Sequence, residues 1–348
     1  MKAVVANGER GLEYTTNAEK PAPAKGQILG RVSHIGLNPI DWKIAYNVPI
    51  SKGTIGGTDF VAIVEEVGEG VDADKYIGAK VSGWVPGFFS FSGSAWAEYV
   101  CTDAKLVYFV PDSISPLNAS TIPCALTTAS QGIHQRIGLP MPRADGSANP
   151  TRRKWFLVWG ASSSVGQYAV QFAKLGGCDV VATCSPKNFK LVEKLGATFV
   201  FDYHDSQVVE KIKQATNDSV FFGFDAISLS HTITKCIMAF SLEAKAAKLI
   251  TVLGPPENPR EEAVDVITAF SFSLFNAKFE FFGEIVQGSS EDYEHIAKLF
   301  ELLPILLEKK IVLPNKAREF AGGLQAIPDA LNEFSSGNHS AIKFVIDV

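Results

Sequence analysis

The sequence predicts a two-domain α/β protein in which an irregular, largely antiparallel β domain is joined to a doubly wound parallel sheet. The chain has 348 residues, more than one compact core usually holds. Its first third breaks into short apolar runs punctuated by Gly, Pro and Asn, as hairpins and irregular strands do. From about Pro123 the rhythm becomes apolar strand, small or polar turn and helical stretch, repeated, which is how βαβ units read.

In the first region the clearest strands are Gln27–Val32, Val61–Val67 and Trp96–Val100. Pro140–Arg153, rich in Pro, Ala, Gly, Asn and Arg, reads as a surface loop. Six runs then fit a parallel sheet: Trp155–Trp159, Val180–Thr183, Phe199–Phe201, Phe224–Ile227, Leu249–Leu253 and Phe279–Phe282. Tyr293–Lys309 and Leu324–Phe334 carry helical periodicity, and Ile342–Val348 is a closing strand expected to rejoin the first domain. The expected boundaries are residues 1–122 with 290–348 for the β domain and 123–289 for the parallel sheet. An apolar last strand at Phe279–Phe282 is a candidate edge for pairing two copies, so monomer and homodimer both stay open.

Hydrophobic residues make up 46% and charged residues 20% of the chain, which is ordinary globular usage. The formal net charge is -5, and no dense Lys/Arg block is present to track a nucleic acid or an anionic membrane. Met1-Lys-Ala-Val-Val turns apolar at once, unlike a signal peptide, and no stretch reaches the roughly 18 to 20 apolar residues of a membrane helix. A cytoplasmic protein is expected. Cys101, Cys124, Cys178, Cys184 and Cys236 are scattered and odd in number, as reduced thiols are. His34, His134, His204, His231, His295 and His339 are dispersed too, so neither a catalytic nor a structural zinc site is expected.

The strongest local signal is Trp155-Phe-Leu-Val-Trp-Gly160-Ala-Ser-Ser-Ser-Val-Gly166, followed by a helical pattern from Tyr168 to Leu175. A strand, a small-residue turn and a helix let the backbone approach a pyrophosphate while free amides and the positive helix end face its charge. Gly160, Ala161, Ser162, Ser163, Ser164, Val165 and Gly166 are thus the candidate cofactor turn, although Ala161 and Ser163 replace two glycines of G-x-G-x-x-G. A tight structural turn without a ligand is the alternative. A nucleophile elbow is excluded because its last glycine is here Ser164. The next strand closes Ala182-Thr-Cys-Ser185-Pro-Lys187, without the acid that would bind the ribose 2′-hydroxyl of NAD. Ser185 can donate to a 2′-phosphate and Lys187 adds positive charge, so NADPH is the expected cofactor. The alternative for Lys187 is a solvated lysine at a helix start.

Five segments fall in order: Leu37-Asn-Pro-Ile-Asp-Trp-Lys43, Gly56-Gly-Thr-Asp-Phe-Val-Ala-Ile-Val64, Gly93-Ser-Ala-Trp-Ala-Glu-Tyr-Val100, the Gly160 turn and Lys194-Leu-Gly-Ala197. Over essentially the whole chain these resemble the zinc-independent medium-chain dehydrogenases/reductases of the quinone oxidoreductase and enoyl reductase branch, above all fungal members that include trans-acting enoyl reductases. In the zinc alcohol dehydrogenases of that superfamily the first segment carries a zinc-binding Cys and the second a Gly-His-Glu. Asn38 and Thr58-Asp59 stand at those places here, and the four-cysteine zinc loop is missing.

The resemblance implies a GroES-like catalytic domain, a Rossmann cofactor domain and metal-free reduction of an α,β-unsaturated carbonyl compound by NADPH. It implies that Asn38 orients the nicotinamide or substrate end of the site, with Pro39 against the cofactor, or else that Asn38-Pro39 is a plain turn. Asp41 and Lys43 are a supporting polar network, or else a structural ion pair. Trp42 and Tyr46 line the pocket, with Tyr46 or water as the proton donor. Tyr203 lies near the 2′-phosphate or is a strand-end aromatic, Thr127 lies on a helix that approaches the nicotinamide or on a core helix, Leu253 against the cofactor, and Lys343 where the closing strand returns to it or as an exposed strand lysine. Phe88, Phe89, Phe91 and the Phe270–Phe275 region are expected to shape the cleft. The competing readings are a metal-free carbonyl or alcohol oxidoreductase and a non-catalytic NADPH-binding protein. A polyketide synthase is the expected partner if the chain acts in trans on carrier-bound enoyl groups.

Overall fold

The computed structural model describes residues 1–89, 93–147, 149, 154–243, 246–254, 258, 260–281 and 283–348. Two compact units are present, one of Met1–Cys124, Phe272–Lys310 and Pro314–Val348, the other of Ala125–Ser271 with Ile311–Leu313.

The first unit opens with an antiparallel hairpin, β1 (Ala3–Ala6) and β2 (Leu12–Thr15). Its main sheet is built from β3 (Gln27–Gly36), β4 (Asp59–Val67), β5 (Lys80–Trp84), β6 (Tyr99–Asp103) and β7 (Val107–Phe109), with two strands from the end of the chain. The first half of β4, Asp59-Phe-Val-Ala, is buried on both faces, and outward glutamates appear only near its end. That is why the strand reads as a continuous apolar run at first and alternates later. The core beneath the sheet gathers Ile35, Phe60, Val81, Trp96 and Val100 with Leu331 and Phe344 from the C-terminal region.

The second unit is a six-stranded, wholly parallel sheet of β8 (Trp155–Trp159), β9 (Asp179–Cys184), β10 (Phe199–Asp202), β11 (Val220–Asp225), β12 (Ala247–Thr251) and β13 (Val264–Thr268). Their order is β10-β9-β8-β11-β12-β13. Cys178 and Cys184 lie buried in this unit, their thiols pushed up to about 11 and about 12, chiefly by burial.

One expected strand is corrected. Phe279–Phe282 is not in the parallel sheet: β14 (Lys278–Phe281) pairs antiparallel with β15 (Glu284–Gln287) in the first unit, and the sixth strand is β13. Lys278-Phe-Glu-Phe alternates with a period of two, the signature of a half-buried antiparallel strand, whereas strands covered on both faces run continuously apolar. Residues 272–289 accordingly belong to the first unit. Phe282 and Phe91, and part of the Pro140–Arg153 loop, lie outside the described residues.

The C-terminal helix spans Ser290–Glu308 and a second spans Ile327–Ser335. The closing strand β17 (Ile342–Asp347) pairs antiparallel with β3 and parallel with β16 (Lys316–Phe320), a strand not anticipated. Among the described residues no helix is long and apolar enough to cross a membrane.

Candidate functional site

The strand order of the parallel sheet reverses between β8 and β11, and such switch points leave a crevice at the carboxyl ends of the strands. β8 runs into Gly160, whose φ of 72° suits glycine; a Cβ there would stand 2.5 Å from Ile227 Cγ1. Ala161 donates its amide to Thr183 O at 2.9 Å, pinning the turn to β9. Ser163 caps the Ser164–Leu175 helix, its hydroxyl accepting from the Gly166 amide at 3.1 Å. Gly166 packs on the turn itself, since a Cβ there would meet Gly160 O at 2.3 Å. Among the described residues the amides of Ser162 and Val165 donate to no protein acceptor, as is normal for a first helical turn. Two open amides at the positive end of a 12-residue helix suit a pyrophosphate.

On the β9 side, Ser185 Oγ lies 3.4 Å from the Tyr203 hydroxyl, so residues 18 apart in sequence converge. Lys187, in the short 3₁₀ turn Pro186–Asn188 that follows Ser185, is exposed. The Tyr203 ring carries His204 at 4.0 Å, and His204 Nδ1 meets Asp202 Oδ1 at 3.0 Å. Thr127 is fully buried in the Pro123–Ser130 helix, and Leu253, past the end of β12, is partly exposed.

In the first unit a buried polar cluster surrounds Asn38, which precedes the Pro39–Asn47 helix with Pro39 at its first position. The Asn38 amide nitrogen of the backbone donates to Asp41 Oδ2 at 2.7 Å. Its side-chain Nδ2 donates to Thr58 Oγ1 and to Asp59 Oδ2, both at 2.9 Å. A carboxylate only accepts, so Asp59 fixes which end of the Asn38 amide carries the hydrogens. Thr58 Oγ1 in turn donates to Asp41 Oδ1 at 3.1 Å. Asp59 Oδ1 accepts from the Cys124 amide at 2.8 Å, and Asp59 Oδ2 is ion-paired with Lys343 Nζ.

All of Asn38, Asp41, Thr58, Asp59 and Lys343 are buried. Burial pushes Asp41 up to about 7, its hydrogen bond from Asn38 opposing. Burial also raises Asp59, against the pull of Lys343. Lys343 is bonded to Asp59 and not to Asp41, so Asp41 is the member that holds a proton near neutrality.

The expected residues thus separate. Asn38, Asp41 and Lys343 come together, and Lys343 is a buried ion-pair partner rather than an exposed strand lysine. Lys43 does not join Asp41; it lies half-buried with its ammonium 5.8 Å from the centre of the Trp42 ring, and burial lowers its pKa. Tyr46 turns elsewhere as well: its hydroxyl donates to Pro328 O at 3.3 Å, and burial first, then Asp329, raise its pKa. Phe88 packs edge-on against Trp96 at 5.4 Å and Phe89 against Phe272 at 5.5 Å. Thr58 and Asp59 were visible only as departures from a zinc motif, and their chemistry appears once Lys343 is beside them. Among the described residues no group of three or more His, Cys, Asp or Glu is placed to hold a metal ion. The carboxylate of Asp59, already saturated by Lys343, Asn38 and the Cys124 amide, does not fit a metal ligand.

Comparison with known proteins agrees with this architecture. The family pattern of the alcohol dehydrogenase GroES-like domain matches residues 24–112, and that of zinc-binding dehydrogenase matches residues 164–300. A zinc-type alcohol dehydrogenase-like protein of Schizosaccharomyces pombe is 54% identical over 100% of both chains. A trans-enoyl reductase of Alternaria alternata is 34% identical over 92% of this chain and 91% of its own. A mycobacterial protein solved in complex with NADPH superposes with a TM-score of 0.74 at 20% identity, covering 100% of both chains. The fold is that of two-domain oxidoreductases, and the chain belongs to the medium-chain dehydrogenase/reductase superfamily, in its enoyl reductase branch. Members of this superfamily use nicotinamide cofactors.

Proposed function

We propose that this chain is a metal-independent, NADPH-dependent reductase acting on an α,β-unsaturated carbonyl compound, whether an enone, enal, quinone or enoyl thioester. The observation that carries the reading is the cluster at Asn38, Thr58 and Asp59. At the positions where zinc relatives carry ligands, these residues are bonded to one another, and the Lys343 ammonium supplies the positive charge that a metal would bring. A saturated ketone or aldehyde then lacks its usual polarising Lewis acid, whereas a conjugated acceptor spreads the arriving charge over an enolate.

The cofactor, when bound, supplies a hydride. The Gly160–Gly166 turn would hold its pyrophosphate, and Ser185, Tyr203 and Lys187 its 2′-phosphate, with Thr127, Pro39 and Leu253 further contacts. Both Nδ2 hydrogens of Asn38 are committed to Thr58 and Asp59, so Asn38 offers an acceptor through Oδ1. It suits a donor such as a carboxamide or hydroxyl and not an enolate oxygen. With Tyr46 bound to Pro328, the enolate proton comes from solvent. The name of the Alternaria relative supports an enoyl acceptor, and through it a synthase partner.

Consumption of NADPH and NADH by chelator-treated protein, against a panel of enones, quinones, enoyl thioesters and saturated aldehydes, tests the proposal. Turnover of NADPH with conjugated acceptors is expected. Activity that needs added zinc, prefers NADH or is confined to saturated aldehydes refutes it.

A further inference from the structure

Across the main sheet of the first unit, strand register aligns Arg31 of β3 with Ile63 of β4, and Ile63 with Lys80 of β5. Side chains alternate between the two faces of a strand. Val32, Ala62 and Val81, the next residues along, turn into the core, so Arg31, Ile63 and Lys80 form a row across the opposite face. Ile63 is 38% exposed. Among the described residues neither Arg31 nor Lys80 has an ion-pair or side-chain hydrogen-bond partner. Two open cations flanking an isoleucine on a rigid sheet fit a surface of inverse pattern, an apolar side chain between two acids.

The chain carries that pattern itself. On the Ser290–Glu308 helix, Glu301, Ile305 and Glu308 are spaced i, i+4 and i+7, which places them on one side of the helix. All three are exposed, Ile305 by 40%, and among the described residues neither glutamate has an ion-pair or side-chain hydrogen-bond partner. Seven helical residues rise about 10.5 Å, and two strand spacings measure about 9.6 Å, so the two acids can stand over the two cations. The helix already lies on the face that bears the row. Ser82, which shares a face with Lys80, is in register with Tyr108 of β7, and the Tyr108 ring packs on Phe300 of the helix at 5.7 Å. A helix and a row side by side on one surface can be exchanged between two copies by a two-fold axis.

We propose that these patches join two copies of the chain, the helix of each crossing the β3–β4–β5 row of the other with Glu301 over Arg31, Ile305 on Ile63 and Glu308 over Lys80. Lys298, one turn before Glu301, then falls beyond Arg31, on the side of Tyr99 and of the Glu66 carboxylate that holds Lys20. Exposed ion pairs are individually weak and are screened by salt, so the dimer is reversible and sensitive to ionic strength.

Sedimentation velocity of the full chain tests this. Wild type is expected to pass from monomer to dimer with a dissociation constant of about 10 μM at low salt, weakened about tenfold in about 0.5 M sodium chloride. Two double variants each reverse one patch: Arg31→Glu with Lys80→Glu, and Glu301→Lys with Glu308→Lys. Arg31, Glu301 and Glu308 are exposed and Lys80 partly so, so both variants are expected to fold, which their melting temperatures check. Alone, each stays monomeric because like charges meet; mixed one to one, they dimerise again because every helix then faces a row of opposite sign. Ile305→Ala raises the constant about fivefold, since it removes apolar burial at both contacts. Wild type that is monomeric at ten times the expected constant overturns the proposal. So does a double variant that dimerises alone as wild type does, which assigns the dimer to another surface, or a mixture that does not recover. If a double variant fails to fold, Ile305→Ala and the salt series decide, and a constant unmoved by either overturns the proposal.

Discussion

At the scale of single residues, the Asp59–Lys343 pair governs the first unit. Removing one partner of a buried ion pair leaves an uncompensated charge, which costs about 3 to 5 kcal/mol. Lys343→Met is therefore expected to lower the urea midpoint sharply, and pairing it with Asp59→Asn to restore much of the loss; a double variant no better than the single one counts against the pair. Asp41 makes a second, opposite demand. Its folded pKa of about 7 lies above the ordinary aspartate value of 3.8, so the native state holds the proton more tightly than the unfolded chain. Its contribution is fully present below the unfolded value and is lost as pH rises through about 7. Melting temperature should fall between pH 5 and 8 in wild type and fall less in Asp41→Asn, and parallel profiles for the two proteins would dissociate Asp41 from the effect. Sequence reading found Asn38, Asp41 and Lys343 separately because each belongs to a recognisable segment. It missed the roles of Thr58 and Asp59 because their partners, above all a lysine 284 residues away, leave no trace in local pattern.

At the scale of elements, the Gly160 turn was the most legible feature, since strand, turn and helix are contiguous and each obeys a local rule. Gly160→Ala combines a positive-φ penalty of about 1 kcal/mol with a Cβ 2.5 Å from Ile227. We expect it to reduce the thermal shift produced by NADPH; an undiminished shift would show that the turn does not face the cofactor. At the neighbouring strand end, Lys187→Ala is expected to raise KM for NADPH several-fold while sparing NADH, and equal effects on both would remove Lys187 from 2′-phosphate recognition. The sheet was harder to read at its margin. β13, Val264-Asp-Val-Ile-Thr, mixes polar and apolar residues because an edge strand is only partly covered. The aromatic Lys278–Phe281 run stands out more strongly, yet it is satisfied by pairing with β15 and by packing Phe279 and Phe281 against Phe272 and Phe89.

At the scale of the whole molecule, the two units differ in how the chain builds them. The second is nearly one stretch, Ala125–Ser271, and adds only Ile311–Leu313, which Gln171 clips in place with both ends of its amide, to Leu313 O at 3.2 Å and from Leu313 N at 2.7 Å. The first is made of three stretches and closes through β17 on β3. This has a consequence for synthesis on the ribosome. The second unit can complete its sheet while the remainder is still being made, but Asp59, among the early residues, stays without its cation until Lys343 has emerged. Until then the N-terminal stretch is a nascent segment carrying exposed strands and an unpartnered acid, a natural client for chaperones, and chains released just short of residue 343 should yield a protease-resistant second unit attached to a first unit that is digested.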